Sequence, residues 1–134
     1  MKRVLITGGA GFIAHHTIRH FLQNTDWEIV SLDRLDYSGN LNRIADMMTE
    51  FDSETQKRVR IVYHDLRAEI NQMLSADLGD FDYIIHMAAS SHVDRSIEDP
   101  MTFVLDNVVA TCNILNFGRQ QKNLERFISA LKSW

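Results

Sequence analysis

The sequence predicts an α/β domain built on a doubly wound, all-parallel sheet of about five strands. Three observations predict it. Short apolar, β-branched runs alternate along the chain with longer helical stretches. Several of those runs are near-continuous rather than alternating, as expected of strands covered on both faces. A glycine-rich turn, Thr7-Gly8-Gly9-Ala10-Gly11, separates the first run from the first helical stretch.

Strands are expected over 3–7, 28–33, 59–64, 83–87 and 126–130. The first helix is expected over 12–24, where Ile13, Ile18, Phe21 and Leu22 recur at helical spacing. Shorter helices are expected over 41–51 and 67–76, and the polar stretch 52–57 reads as an exposed loop. Asp99-Pro100 opens the last helix: Asp can cap the free N–H groups, and Pro lacks an N–H only where none is needed. That helix should run to about Gly118, a residue suited to leaving a helix. Right-handed crossovers then place helices on both faces and give the strand order 3-2-1-4-5. No repeat, low-complexity tract or linker interrupts the 134 residues, so 1–134 reads as one domain.

Composition narrows the partners. The chain is 45% hydrophobic and 24% charged, with a net charge of −4, which argues against a general nucleic-acid binder. The apolar run 4–7 is too short for a signal peptide or a membrane span, so the sequence reads as cytoplasmic with no membrane partner. The single cysteine, Cys112, excludes an internal disulfide. Within Val108-Val109-Ala110-Thr111-Cys112 it is expected to be a small buried residue. His16 and His20 have the i, i+4 spacing of zinc ligands, with His15 adjacent. No cysteine or carboxylate joins them, so exposed histidines and no metal site are expected.

The glycine turn carries the candidate chemistry. A pyrophosphate can approach backbone N–H groups only where side chains do not intrude, and a helix N-terminus adds the positive end of its dipole. Gly8 suits the tight turn, Gly11 the close approach, and Ala14 the tight packing of helix on strand. Asp33, about 20 residues on at the end of the second strand, can accept the hydroxyls of an adenine ribose. A carboxylate there repels a 2′-phosphate and favours NAD over NADP; Arg34 softens that preference without reversing it.

Further segments carry a family resemblance. The spacing Thr7-Gly8-Gly9-x-Gly11-Phe12-Ile13 resembles the extended short-chain dehydrogenase/reductases, and Asp33-Arg34-Leu35-Asp36-Tyr37-Ser38-Gly39-Asn40-Leu41 resembles their stretch after the second strand. His86-Met87-Ala88-Ala89 is similar to their His-Leu-Ala-Ala, and Asn107-Val108-Val109-Ala110-Thr111 to their Asn-x-x-Gly-Thr. Ser91-His92-Val93-Asp94-Arg95-Ser96 resembles the signature run of the dTDP-glucose 4,6-dehydratases. The resemblance extends from Lys2 to about Ser129. Two positions depart from it: Ala14 stands where the family usually has Gly, and Ser90 where a Glu is common, which removes a carboxylate from the substrate side.

The resemblance implies a Rossmann-type domain that binds NAD through Gly8, Gly11, Phe12, Ile13, Asp33 and Arg34. It implies that Asp65 and Leu66 lie beside the adenine, with Asp65 taking its amino group. Ala88 and Ala89 would line the nicotinamide side, Asn107 would hold the fourth-strand region, and Ser91 and His92 would approach a sugar-nucleotide substrate. The family reaction passes hydride from the sugar to NAD and back around a loss of water, and it uses a tyrosine with a lysine four residues on. Tyr37, Tyr63 and Tyr83 are followed four residues later by Leu41, Arg67 and Met87, so no such pair is present. The chain is therefore expected to be incomplete relative to the family: an NAD binder without turnover by itself, taking a nucleotide sugar only if a missing half is supplied. Two alternatives remain open, a non-catalytic nucleotide-binding or sensing module from a truncated gene and a UDP-sugar epimerase fragment. In the family the helix over 100–118 builds a dimer interface. Phe103, Val104, Val108, Thr111, Ile114 and Leu115 cover more than one of its faces, so a homo-oligomer is expected.

Overall fold

The computed structural model describes residues 1–8, 11–34, 41–87 and 99–129. Its five strands are β1 (Arg3–Thr7), β2 (Glu28–Asp33), β3 (Val59–Tyr63), β4 (Tyr83–His86) and β5 (Arg126–Ser129). They form one sheet in the order β3-β2-β1-β4-β5, and every pairing is parallel. The expected order is the observed one. Register sets Thr7 beside His86 on one side of β1 and beside Leu32 on the other.

The alternation of side chains along β1 sorts the core into two layers. Val4 and Ile6 pack with Ala14, Ile18 and Leu22 of α1 (Phe12–Asn24) and with Ile44 and Met47 of α2 (Leu41–Met48). Leu5 points the other way, into a cluster with Leu66, Leu78 of α4 (Gln72–Leu78), Phe81, Ile84, and Ile114 and Phe117 of the last helix. That helix, α5, spans 100–119 in three parts: α-helix over Pro100–Val104, a widened π-type turn over Leu105–Val109, and α-helix over Ala110–Arg119. Helices thus cover both faces, the doubly wound arrangement.

Named side chains account for several element ends. Asp99 caps α5 by accepting the Thr102 N–H at 3.2 Å, with Pro100 in the first turn as expected. Arg58 closes the C-terminus of α1, donating to the carbonyls of Leu22, Thr25 and Trp27 at 2.9, 2.7 and 3.2 Å. Of these, the Leu22 carbonyl lies in the last turn of α1, where the helix itself offers no donor, and the other two belong to the segment that leaves it.

Several expectations are corrected. The polar stretch 52–57 is not a plain loop: Asp52 accepts the Thr55 N–H at 2.8 Å and starts the short helix α3 (Ser53–Gln56). The helix expected over 67–76 begins at Gln72, because Asn71 caps it while Leu66 and Ile70 turn inward before it. Cys112 is exposed, since α5 buries the side carrying Ala110, Ile114 and Phe117. His15 is buried rather than exposed, its Nδ1–H donating to the Gly11 carbonyl at 3.0 Å; His16 and His20 are exposed. Among the described residues no cluster suits a metal ion, and no helix is long and apolar enough to cross a membrane.

Polar contacts along the lower rim of the sheet tie distant parts of the chain together. The Arg3 N–H donates to the Asp82 carboxylate at 2.8 Å, and Lys2 pairs with Glu125. The Tyr83 hydroxyl donates to the same Glu125 at 2.5 Å, and the Glu125 N–H donates to the Asp82 carbonyl at 2.7 Å. Beside them Phe21, Trp27 and Tyr83 stack, with ring centroids 5.2 and 4.8 Å apart.

Candidate functional site

The upper rim, where the parallel strands end, gathers the chain's polar strand-end residues. β1 leads into Gly8, whose φ of 71° lies in the region that L side chains rarely adopt. The Gly8 N–H donates to the Leu32 carbonyl at 2.8 Å, which fixes the turn against the end of β2. The Gly11 N–H donates to the Gly8 carbonyl at 2.9 Å, and a Cβ on Gly11 would lie 3.1 Å from that oxygen. Glycine at 8 is favoured by conformation, and at 11 it relieves a tight approach to the Gly8 carbonyl. Gly11 is also the N-cap of α1 and offers no side-chain acceptor, and the first turn holds no acidic residue. The first turn of α1 thus carries no acidic side chain of its own over its N–H groups. Phe12 opens the helix, and Ile13 is exposed there. Ala14 is buried where helix meets strand, as its size requires.

Asp33 ends β2 nearly buried, and its carbonyl accepts the His64 N–H at 3.0 Å. Arg34 follows it directly. Across from it Asp65 is held by Arg67, which donates from its backbone N–H at 2.9 Å and from Nη2 at 2.7 Å. The Arg67 side-chain bonds, helped by the charge of Arg34, keep the Asp65 carboxyl below the usual carboxylate range. The Leu66 side chain lies in the core, and its carbonyl accepts the Asn113 amide at 2.6 Å. What Leu66 offers to the rim is backbone.

At β4 the rim holds a buried polar chain. The Thr7 hydroxyl lies 2.7 Å from His86 Nδ1 and accepts the Met87 N–H at 2.9 Å. His86 Nε2 lies 3.1 Å from the Thr111 hydroxyl, which donates to the Asn107 carbonyl at 2.5 Å. Burial alone lowers the His86 imidazole to about 4. Asn107 itself sits half-buried in the widened turn of α5.

Gly8, Gly11, Asp33, Arg34 and Asp65 thus meet on one rim, with Asn107 on the α5 side. Ala88, Ala89, Ser91 and His92 lie outside the described residues. Sequence reasoning missed His86, Thr111 and Arg67. A usable signal existed for the first: Thr7 and His86 are the polar ends of two apolar runs, and such ends fall side by side in a parallel sheet.

Fold and turn define a Rossmann-like α/β domain with its glycine turn at the first strand–helix junction. The chain belongs to the GDP-mannose 4,6 dehydratase family, whose model matches residues 5–131. It is 38% identical over 120 residues to a dTDP-glucose 4,6-dehydratase of Salmonella typhimurium, a match covering 88% of this chain and 31% of the relative. Among solved structures it resembles the UDP-Glc/GlcNAc 4-epimerase of Campylobacter jejuni, with a TM-score of 0.79 and 33% identity over 96% of this chain and 36% of that one. It also resembles a dTDP-glucose 4,6-dehydratase of Streptomyces venezuelae solved with NAD bound, with a TM-score of 0.78 and 35% identity over 93% of this chain and 38% of that one. The chain spans about a third of the length of these relatives.

Proposed function

We propose that this chain is the NAD-binding part of a nucleotide-sugar dehydratase of the dTDP-glucose 4,6 type, and that these 134 residues bind NAD without turning a sugar over. The observation that carries the reading is the pairing of a positive-φ glycine turn with a carboxylate one strand away, joined by the Gly8–Leu32 hydrogen bond. The rim fits the group. The uncapped N-terminus of α1, entered through Gly8 and Gly11, receives the pyrophosphate, flanked by Phe12 and Ile13. Asp33 takes the adenine ribose, and Asp65, already oriented by Arg67, takes the adenine amino group beside the Leu66 backbone. Ala88 and Ala89 serve the nicotinamide side, Asn107 helps hold the fourth-strand region beside it, and Ser91 and His92 serve the sugar. Bound NAD supplies the hydride acceptor, and the protein's residues hold it in place. The relatives' names support the dehydratase assignment, as does the Ser91–Ser96 run. The Campylobacter likeness keeps a UDP-sugar epimerase as the second reading.

Calorimetry with NAD, NADP and AMP tests the proposal. NAD is expected to bind at least several-fold more tightly than NADP, because a 2′-phosphate would meet the Asp33 carboxylate. Equal affinities would refute the role given to Asp33, and no binding of any of the three would refute the site. With dTDP-glucose and NAD, the sample should form no 4-keto-6-deoxy sugar above a no-protein control.

We further infer that the chain associates with a second copy through α5. Met101, Val104, Val108 and Leu115 are all exposed along it, with Cys112 among them. Each large apolar side chain left in water forgoes about 1.5–3 kcal/mol of burial. At the sheet edge Ile128 of β5 is 49% exposed, which lengthens the apolar margin. Sedimentation equilibrium at micromolar concentration should show a dimer or larger; a lone 15.5 kDa species would overturn the inference.

A further inference from the structure

The polar chain at the end of β4 has a direction fixed by chemistry. Thr111 has one hydroxyl proton, and it is given to the Asn107 carbonyl at 2.5 Å. Toward His86 the Thr111 oxygen can then only accept, so His86 Nε2 carries the ring proton across 3.1 Å. The imidazole is buried, and burial keeps it neutral, so Nδ1 is left with a bare lone pair. That lone pair accepts the Thr7 hydroxyl at 2.7 Å, and the Thr7 oxygen accepts the Met87 N–H.

This relay joins three pieces of the rim that meet nowhere in sequence. Thr7 is the residue before the glycine turn, Met87 follows β4, and Asn107 lies in the widened turn Leu105–Val109. A π-type turn departs from the ordinary helical ladder, and such turns concentrate at functional sites. Here a side-chain hydroxyl bonds to a carbonyl inside the turn, and a buried imidazole from the sheet holds that hydroxyl. Hydrogen bonds thereby join the glycine turn to α5 in addition to the apolar packing of Ala110, Ile114 and Phe117.

We propose that His86 and Thr111 are positioning residues that fix the β4–α5 side of the rim for the nicotinamide half of the dinucleotide. The inference rests on the NAD reading above. On that reading the carboxylates given to the adenosine half, Asp33 and Asp65, stand at the ends of β2 and β3, whereas His86 and Thr111 stand on β4 and α5, so the relay would bear on the other half of the ligand. That asymmetry gives the test.

Thr111→Val keeps the shape of the side chain and removes the hydroxyl, whereas Thr111→Ser keeps the hydroxyl. By calorimetry, Thr111→Val is expected to bind NAD about tenfold more weakly while AMP affinity stays unchanged, and Thr111→Ser to restore the wild-type ratio. A merely structural defect would weaken both ligands together. If wild-type protein binds neither ligand, the NAD reading fails. If it binds NAD and Thr111→Val keeps the wild-type NAD-to-AMP ratio, the positioning role fails and the reading stands. A second measurement needs neither ligand nor variant. Long-range proton–nitrogen NMR at pH 7 should show His86 as the neutral Nε2–H tautomer, and an Nδ1–H or protonated ring would overturn the relay.

Discussion

Lowering the pH from 7 to 4 is expected to cost this protein about 3 kcal/mol of folding stability through His86 alone. Burial lowers the folded imidazole to about 4, against 6.5 for the unfolded chain. Between those values the unfolded chain binds a proton that the folded one refuses, so acid pulls the equilibrium toward unfolding. The loss begins as the pH falls through 6.5 and is complete near 4. The carboxyls of Asp52, Asp65, Asp99 and Glu125 behave differently. Hydrogen bonds lower all four, so what they contribute is present above their unfolded values of 3.8 or 4.5 and is lost only as the pH drops further. The histidine window therefore comes first. Urea unfolding at a series of pH values should show the midpoint falling between pH 6.5 and 4.5, with His86→Gln less stable at pH 7 and flatter across that window. A wild-type midpoint that does not move there would show that the imidazole is not held neutral.

Phe117→Ala is expected to destabilise the fold by about 3–5 kcal/mol, a large share of the roughly 5–15 kcal/mol that holds an ordinary domain together. Phe117 is 2% exposed and meets Phe81 edge-on, with ring centroids 6.2 Å apart. Its surroundings have little freedom to collapse into the space left behind. The neighbouring Gly118 is already close-packed, since a Cβ there would meet the Phe127 ring at 3.3 Å and Ile84 at 3.5 Å. The cavity would therefore persist, and the cost sits at the high end of the range. Val108→Ala on the outward side of the same helix is the control, with an expected change within about 0.5 kcal/mol in the monomer. Denaturant midpoints for the two variants decide the matter. A Phe117→Ala cost close to that of the control would place Phe117 outside the core.

The sheet was legible in the sequence because its signals are local and repeated. Runs such as Val4-Leu5-Ile6 and Tyr83-Ile84-Ile85 can be satisfied only by a strand covered on both sides, and the crossover rule then leaves few orders to choose from. Gly8, Gly11 and Asp33 were legible for the same reason: each stands at a junction where backbone geometry limits the residue. The rest depended on competition between local and distant partners. Asn71 and Asp52 could each have been a loop residue; each became a cap because a nearby N–H lay within reach. Which way Cys112 faced could not be read from an apolar run, since the widened turn at Leu105–Val109 shifts the helical phase and leaves no trace in periodicity. His86 looked like one polar residue in an apolar strand. Its importance comes from Thr7 and Thr111, 79 and 25 residues away along the chain, and only the folded sheet brings the three together.

The contacts on the lower rim bear on the order in which the molecule can be assembled. β1 occupies the middle of the sheet and is made before the other four strands, yet one of its two neighbours, β4, is synthesised only after β2 and β3. Until then one edge of the central strand is open, lined by Val4, Leu5 and Ile6, and such an edge invites pairing with another nascent chain. Lys2 waits longer still, since its partner Glu125 stands at the entrance to the last strand. Closure of the sheet thus joins residues as far apart as Lys2 and Glu125, 123 positions along the chain, and long-range closures of this kind are slow.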